Sequence, residues 1–270
     1  MKKEHKRVLT IAGSDSGGGA GIQAALKTIS ALGCFGMSAI TAITAQNTQG
    51  VFDIHPVPVS IIKKQIKVVL DDIGADAIKI GMLYSSEVIR TVSETLKEYN
   101  IKNIVLDPVM VATSSDKLLQ DDAVETLVKE LFPLSKVITP NIPEAEILLN
   151  VKIQNNHDLA EAAKQLTNLG VRSVLLKAGH FDKEELTDIF YDRKTNRTIE
   201  LKAKRIETKN THGTGCTLSS AIASFLAKGY SLPMAIKEAK NYIDNAIKFG
   251  ANYKIGKGHG PVHYFYKFWK

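Results

Sequence analysis

Cysteine is scarce in this chain: Cys34 and Cys216 are the only two among 270 residues. Two cysteines, far apart and in unlike contexts, exclude a disulfide framework and point to a reducing, cytoplasmic compartment. No apolar run approaches the roughly 20 residues needed to span a bilayer, so a membrane-spanning helix is not expected. The opening MKKEHKR leads directly into an apolar strand pattern. It has no apolar h-region and does not read as a secretory signal. Linkers rich in proline or serine, long charge runs, internal repeats and low-complexity tracts are also missing. A single domain over 1–270 is therefore expected.

What is present is ordinary globular material, 44% hydrophobic and 23% charged. The formal net charge is +7, but the lysines are scattered over polar positions of amphipathic segments. That distribution suits a basic surface and phosphorylated small ligands. It forms no stripe of the kind that binds nucleic acid. Strand-type runs fall at 7–12, 37–43, 77–80, 103–106, 136–138 and 173–177. Helix-type spacing falls at 22–32, 59–70, 87–99, 121–131, 143–149, 157–169, 217–227 and 232–249. Segments 188–191 and 198–202 read as an antiparallel pair. Alternation of this kind implies an α/β fold with a mostly parallel central sheet covered on both faces, a three-layer sandwich. Sites in such sheets lie beyond the carboxyl ends of the strands. Gly13, Gln46, Gly81–Met82, Asp107 and Asn141 all follow strand-type runs and aim at that one edge.

The most informative stretch is 210–216, NTHGTGC, followed by a segment rich in small residues. Gly213 and Gly215 allow tight backbone curvature and close approach of a ligand. The first N–H groups of a helix lack internal partners, and with the dipole they receive an anion such as phosphate. Cys216 falls at the helix start, where a thiolate is favoured. A reactive group beside an anion cradle suggests phosphoryl transfer. The stretch resembles the GTGD-type signature of the ribokinase-like kinases, with cysteine in place of the usual aspartate. That variant is similar to the hydroxymethylpyrimidine/phosphomethylpyrimidine kinases of thiamin synthesis and to some pyridoxal kinases.

Other segments carry the same resemblance. The glycine loop 13–21 invites a dinucleotide-binding reading, but the second strand ends in TAITAQN with no acid, as that reading would require. The stretch Ala12–Thr28 instead resembles the family's AGSDSSGGAGIQADLKT, with Gly17 replacing Ser and Ala25 replacing Asp. The resemblance implies that Gly13, Asp15 and Ala20 belong to the substrate site. In TAQNTQG it assigns Gln46 to the edge of an aminopyrimidine ring, since an amide offers both donors and an acceptor. Within KIGML, Met82 suits the apolar face of a ring. In DPVMV, Asp107 is a strand-end carboxylate suited to Mg²⁺, and Val109 would line the pocket. The stretch TPNIPEA matches the family's Asn141-x-x-Glu144 motif, which is implied to position Mg²⁺ and phosphate largely through water. Lys177 ends a strand as a point charge for nucleotide phosphates, while His180 is explained equally well by loop structure. Thr208, Lys209 and Asn210 are implied nucleotide contacts. The loop 112–116 (ATSSD) departs from the family's AKSGD. Near the C-terminus GHGPVHYF resembles GxGPVHHF, with Tyr264 replacing the second histidine. His259 and His263 are spaced for a metal, but no cysteine or carboxylate joins them.

The resemblance spans about Arg7 to Trp269 and implies a kinase using ATP and Mg²⁺. Its substrate would be hydroxymethylpyrimidine and then the monophosphate. In that assignment Gly213, Thr214, Gly215 and Cys216 are catalytic, with Cys216 as base. A pyridoxal or pyridoxine kinase of the same fold, or a non-catalytic ligand-binding relative, are the alternatives. The partner is a small molecule; neither nucleic acid nor membrane is expected, and a homodimer is left open.

Overall fold

The computed structural model describes residues 4–110, 122–179, 181 and 184–269. The loop 112–116 and His180 lie outside them. Strands β1 (Arg7–Asp15), β2 (Phe35–Asn47), β3 (Gly50–Pro56), β4 (Ala77–Ile80), β5 (Ile104–Leu106), β6 (Val137–Ile138), β7 (Ser173–Leu176), β8 (Glu185–Asp192) and β9 (Arg197–Lys204) build one sheet. Its order among the described residues is β3-β2-β1-β4-β5-β6-β7-β8-β9. From β2 to β7 neighbouring strands are parallel; β3 closes one edge antiparallel, and β8 and β9 extend the other antiparallel. The helices are α1 (Gly21–Ala31), α2 (Val59–Asp72), α3 (Ser86–Lys97), α4 (Ala123–Leu131), α5 (Ile142–Leu149), α6 (Asn156–Leu166), α7 (Thr214–Ala227) and α8 (Leu232–Gly250). Among the described residues no helix is long and apolar enough to cross a membrane.

Side chains alternate across the strands as the pleat requires. Leu9 and Ile11 of β1 join the apolar cluster with residues of α2, α3, α4 and α6, whereas Val8 joins the cluster with α1, α7 and α8. The chain leaves β1 toward β2 on one side and later returns to β4 on the other. That reversal opens a crevice at the carboxyl ends of β1 and β4, where ligands of such sheets bind. Helix α7 lies over this crevice. Its small residues Ser219, Ser220, Ala221, Ala223 and Ser224 are all buried, so it packs closely.

Three boundaries differ from the sequence reading. Strand β1 continues to Asp15, so Gly13 and Asp15 are strand residues rather than loop residues. Strand β2 likewise continues to Asn47 and contains Gln46. The half-exposed β3 was not expected at all; it carries His55, Pro56 and Asp53, which blur its alternation.

After β9 the chain is fastened by Asn210. Its amide donates to Gly250 O at 2.7 Å and Tyr253 O at 2.6 Å, tying down the end of α8. Asn210→Ala would leave the buried Gly250 carbonyl short of a donor, at about 1–3 kcal/mol. A thermal melt should show a fall of several degrees, larger than any change in nucleotide affinity; an unchanged melting temperature would refute this fastening role.

Candidate active site

The end of β1 builds the first wall. Asp15 is 2% exposed. Its Oδ1 accepts from Gly17 N at 2.8 Å. Its Oδ2 accepts from Gly19 N at 3.0 Å, Ala20 N at 2.8 Å and faces His212 Nε2 at 2.9 Å. Burial pushes the Asp15 carboxyl up, but His212 and the Ala20 and Gly17 N–H groups outweigh it and hold it below the ordinary range. The carboxylate therefore holds the shape of its own loop. The two departures from the family pattern cost little. A Cβ on Gly17 would stand 3.1 Å from Asn47 Cα, so the smaller residue fits easily. Ala25 is 0% exposed within the apolar cluster beneath α1.

Beside this wall lies a small apolar cluster: Ala42 and Met82 are buried, with Val51, Ile54, Tyr84 and Val109 packed against them. Met82 Sδ approaches Gly13 so closely that a Cβ there would lie 3.3 Å away. Gly13 and Val109 both lie against Met82. Ile54 enters from the unexpected β3. Tyr84 holds φ 70°, a left-handed conformation uncommon for a side chain of its size. Gln46 follows Ala42 and Thr44 on one face of β2. Ser16 pins its backbone, donating from Oγ to Gln46 O at 2.8 Å and accepting from Gln46 N at 2.8 Å.

The charged wall comes from β5, β6 and β7. Asp107 is 2% exposed; its Oδ1 accepts from Thr139 Oγ1 at 2.9 Å and from Lys177 Nζ at 3.0 Å. Burial pushes this carboxyl up, yet Lys177 and Lys79 outweigh it and hold it low. For Lys177, burial is outweighed by Asp107 and Glu144, which raise it. Lys79, missed by the sequence reading, is 0% exposed and its Nζ has no hydrogen-bond partner among the described residues. Glu144 is pushed up to about 7, chiefly by burial, with Lys177 opposing and Asp107 adding. Asn141 and Glu144 cap α5 reciprocally: Asn141 N donates to Glu144 Oε2 at 2.8 Å, and Glu144 N to Asn141 Oδ1 at 2.9 Å. This is a capping box.

No group of three or more His, Cys, Asp or Glu among the described residues could hold a metal unaided. The donor chemistry nonetheless fits Mg²⁺, which keeps several waters and takes one or two carboxylates plus substrate phosphates. Among the described residues the one hydrogen-bond neighbour of Asp107 Oδ2 is Ser219 Oγ, at a long 3.5 Å. Glu144, committed to its cap, suits a contact through water.

Above this wall begins α7. Its N-cap, Gly213, sits at φ 78° and offers no side-chain acceptor. A Cβ there would lie 1.8 Å from Gly19 O, and one on Gly215 would lie 3.2 Å from Lys177 Nζ and 3.3 Å from Asp107 Oδ2. Among the described residues nothing accepts from the N–H groups of Gly215 and Cys216. Cys216 is a free, partly exposed thiol. Tyr264, the residue that departs from the family's second histidine, is buried and donates to Gly19 O at 2.6 Å. Thr208, Lys209 and Asn210 line a groove of about 500 Å³ with Lys254 and Lys257. His259 and His263 have separate tasks: His259 Nδ1 faces Lys209 O, and His263 packs between Tyr253 and Trp269.

Neither His212 nor Tyr264 was identified from sequence, although both lie inside quoted motifs. A crevice at the reversal of a mostly parallel sheet, with an uncapped helix N-terminus over a lysine–aspartate pair, defines a ribokinase-like kinase. Residues 15–263 match the phosphomethylpyrimidine kinase family, and the chain belongs to it. It is 49% identical over 263 residues to a hydroxymethylpyrimidine/phosphomethylpyrimidine kinase of Rhizobium meliloti (strain 1021), covering 97% of this chain and 98% of the relative. A crystal structure of phosphomethylpyrimidine kinase from Clostridium difficile 630 superposes with a TM-score of 0.80 at 49% identity, over 90% of this chain and 99% of that one. The ADP complex of Bacillus subtilis pyridoxal kinase gives a TM-score of 0.90 at 37% identity, over 98% of this chain and 100% of that one.

Two outcomes follow from the geometry. Gly213→Ala places a methyl group inside the Gly19 carbonyl and adds left-handed strain of about 1–3 kcal/mol. Its kcat should fall at least tenfold with a lower melting temperature; wild-type values for both would contradict the close approach. Glu144 binds its proton more tightly folded than unfolded, with a folded value of about 7 against an ordinary 4.5. Between those values the native state holds the extra proton, so its contribution to stability is present at low pH and lost as pH rises through about 7. Glu144→Gln should flatten the decline in melting temperature between pH 5 and pH 8; an unaltered slope would show that Glu144 does not contribute to it.

Proposed function

We propose that this kinase transfers the γ-phosphoryl group of ATP to the hydroxymethyl oxygen of 4-amino-5-hydroxymethyl-2-methylpyrimidine. A second transfer then converts the monophosphate to the diphosphate, in thiamin biosynthesis. The observation that carries the proposal is the uncapped start of α7 above the buried Lys177–Asp107 pair; the apolar cluster of Met82 and Val109 supports an acceptor ring beside it. The name of the Rhizobium meliloti relative supports the substrate, and the ADP complex of the Bacillus subtilis enzyme supports a nucleotide. Apolar clusters on both faces of the sheet support the three-layer, single-domain reading. Two free cysteines accord with a cytoplasmic setting.

In this mechanism Met82 and Val109 cover the ring and Gln46 orients its edge, directing the hydroxymethyl group toward Cys216. The thiolate of Cys216 takes the hydroxyl proton as that oxygen bonds to the γ-phosphorus and the bond to ADP breaks. The N–H groups of Gly215 and Cys216, with Lys177, receive the charge on the transferred group; such transfer depends on positioning and charge. Mg²⁺, when bound, offsets phosphate charge and is held by Asp107 and, through water, Glu144. Thr208 and Lys209 line the nucleotide's groove. The higher TM-score of the pyridoxal kinase supports a second reading, a pyridoxal-type alcohol as acceptor. A non-catalytic role does not account for the buried lysine–aspartate pair beneath an open helix end.

ADP release should be measured with hydroxymethylpyrimidine, its monophosphate and pyridoxine. Turnover with pyridoxine alone would overturn the proposal. Cys216→Ser should lose about a hundredfold or more in kcat, the usual worth of a general base; near-normal kcat would remove that role. Cys34 is 6% exposed, with its thiol pushed up by burial, so iodoacetamide should label Cys216 first, and substrate should protect it.

A further inference from the structure

The hydroxyl of Thr44 has more neighbours than hydrogens. Thr44 is 4% exposed; its Oγ1 lies 2.8 Å from Ser14 O and 3.0 Å from Oε1 of the Gln46 amide. A hydroxyl carries one hydrogen and a backbone carbonyl none. At 2.8 Å the hydrogen must therefore go to Ser14 O, since two lone-pair oxygens would otherwise face each other. Thr44 Oγ1 is left with lone pairs toward Gln46. The favourable arrangement turns the Gln46 amide so that its NH₂ donates to Thr44 and its carbonyl points away. Amide oxygen and nitrogen are assigned by such hydrogen counts. Ser14 is itself held, accepting at Oγ from Gln23 Nε2 at 2.8 Å, while Gln23 Oε1 accepts from Asp15 N at 2.8 Å. The backbone of Gln46 is fixed by Ser16. Thr44 is thus a rigid reference on which the amide is set.

We infer that Thr44 is a specificity-determining positioning residue: it fixes the polarity of the edge that Gln46 presents to the acceptor ring. One amide hydrogen is used on Thr44. The other hydrogen and the carbonyl form a donor–acceptor edge, donor nearer Thr44. A ring nitrogen beside an exocyclic amine complements that edge, the nitrogen accepting and the amine donating. A ring carrying a carbonyl in place of the amine presents N–H and C=O, the reverse polarity, and meets donor with donor and acceptor with acceptor. Mismatched buried polar groups are the main source of discrimination of this kind. The inference rests on the aminopyrimidine reading of the pocket and adds the device that selects the amine.

Isothermal titration separates the two ideas, using hydroxymethylpyrimidine and its 4-oxo analogue as ligands. The wild type should prefer the amine. In Thr44→Val the amide turns freely, so the preference ratio should narrow roughly three- to tenfold, the worth of one hydrogen bond. MgATP affinity should be unchanged, and Thr44→Ser, which keeps the hydroxyl, should restore the ratio. Should the valine variant fold poorly, Thr44→Ala removes the same hydroxyl and should show the same narrowing. A wild-type ratio in the hydroxyl-free variant, alongside a Gln46→Ala variant that binds the amine weakly, would overturn the inference alone. Unchanged amine affinity in Gln46→Ala would overturn the pocket reading and the inference with it.

Discussion

The buried pair of Lys177 and Asp107 is the constraint on which the active edge depends. The pair joins the end of β7 to the end of β5 at 3.0 Å, and Thr139 ties β6 into the same carboxylate. Breaking such a pair by removing one partner leaves an uncompensated buried charge, typically costing about 3–5 kcal/mol. The pair also sets how low α7 can lie. Because the ammonium and carboxylate press directly under residue 215, that residue is glycine. With no side chain there, the first N–H groups of the helix come down over the lysine. Positive charge and helix terminus then converge on one point.

A second set of contacts brings the acceptor side into register with the phosphoryl side. Asp15 organises the first loop and receives His212 from the strand of chain before α7. Gly213 then abuts Gly19 O, the carbonyl that also accepts from Tyr264. The loop after β1 and the start of α7 are consequently joined by direct contacts. For a reaction whose protein contribution is mostly placement, this matters more than any single group, since small displacements of reacting atoms cost large factors in rate.

The alternation of strands and helices, the parallel sheet and the convergence of Gly13, Met82, Val109 and Asp107 were legible because each follows an apolar run. Cys216 at a helix start was legible from the glycines before it. Other features were hidden for physical reasons. The spacing of Asn141 and Glu144 is the same in a capping box as in a phosphate-positioning motif, so sequence cannot apportion the two tasks. A carboxylate turned onto its own loop, as at Asp15, has the same letter as one turned to a ligand. The partners His212 and Tyr264 lie 197 and 245 positions from what they hold. Lys79, inside an apolar strand, gave no sign that its ammonium would be wholly enclosed. Strand β3 escaped because it is half-exposed and its pairing partner, not its own composition, makes it a strand.

The bond from Tyr264 to Gly19 spans 245 positions of chain, and this has a consequence for biosynthesis. The glycine loop is among the first parts to leave the ribosome, yet its fastener is made almost last. Through nearly all of translation the loop has neither His212 nor Tyr264 to hold it. The loop is therefore fully held only once the late segment has been made, and a polypeptide arrested between residues 212 and 264 has His212 but lacks the bond from Tyr264. Closing so long a loop costs only slightly more entropy than closing a short one. The delay is thus a matter of sequence order rather than of stability.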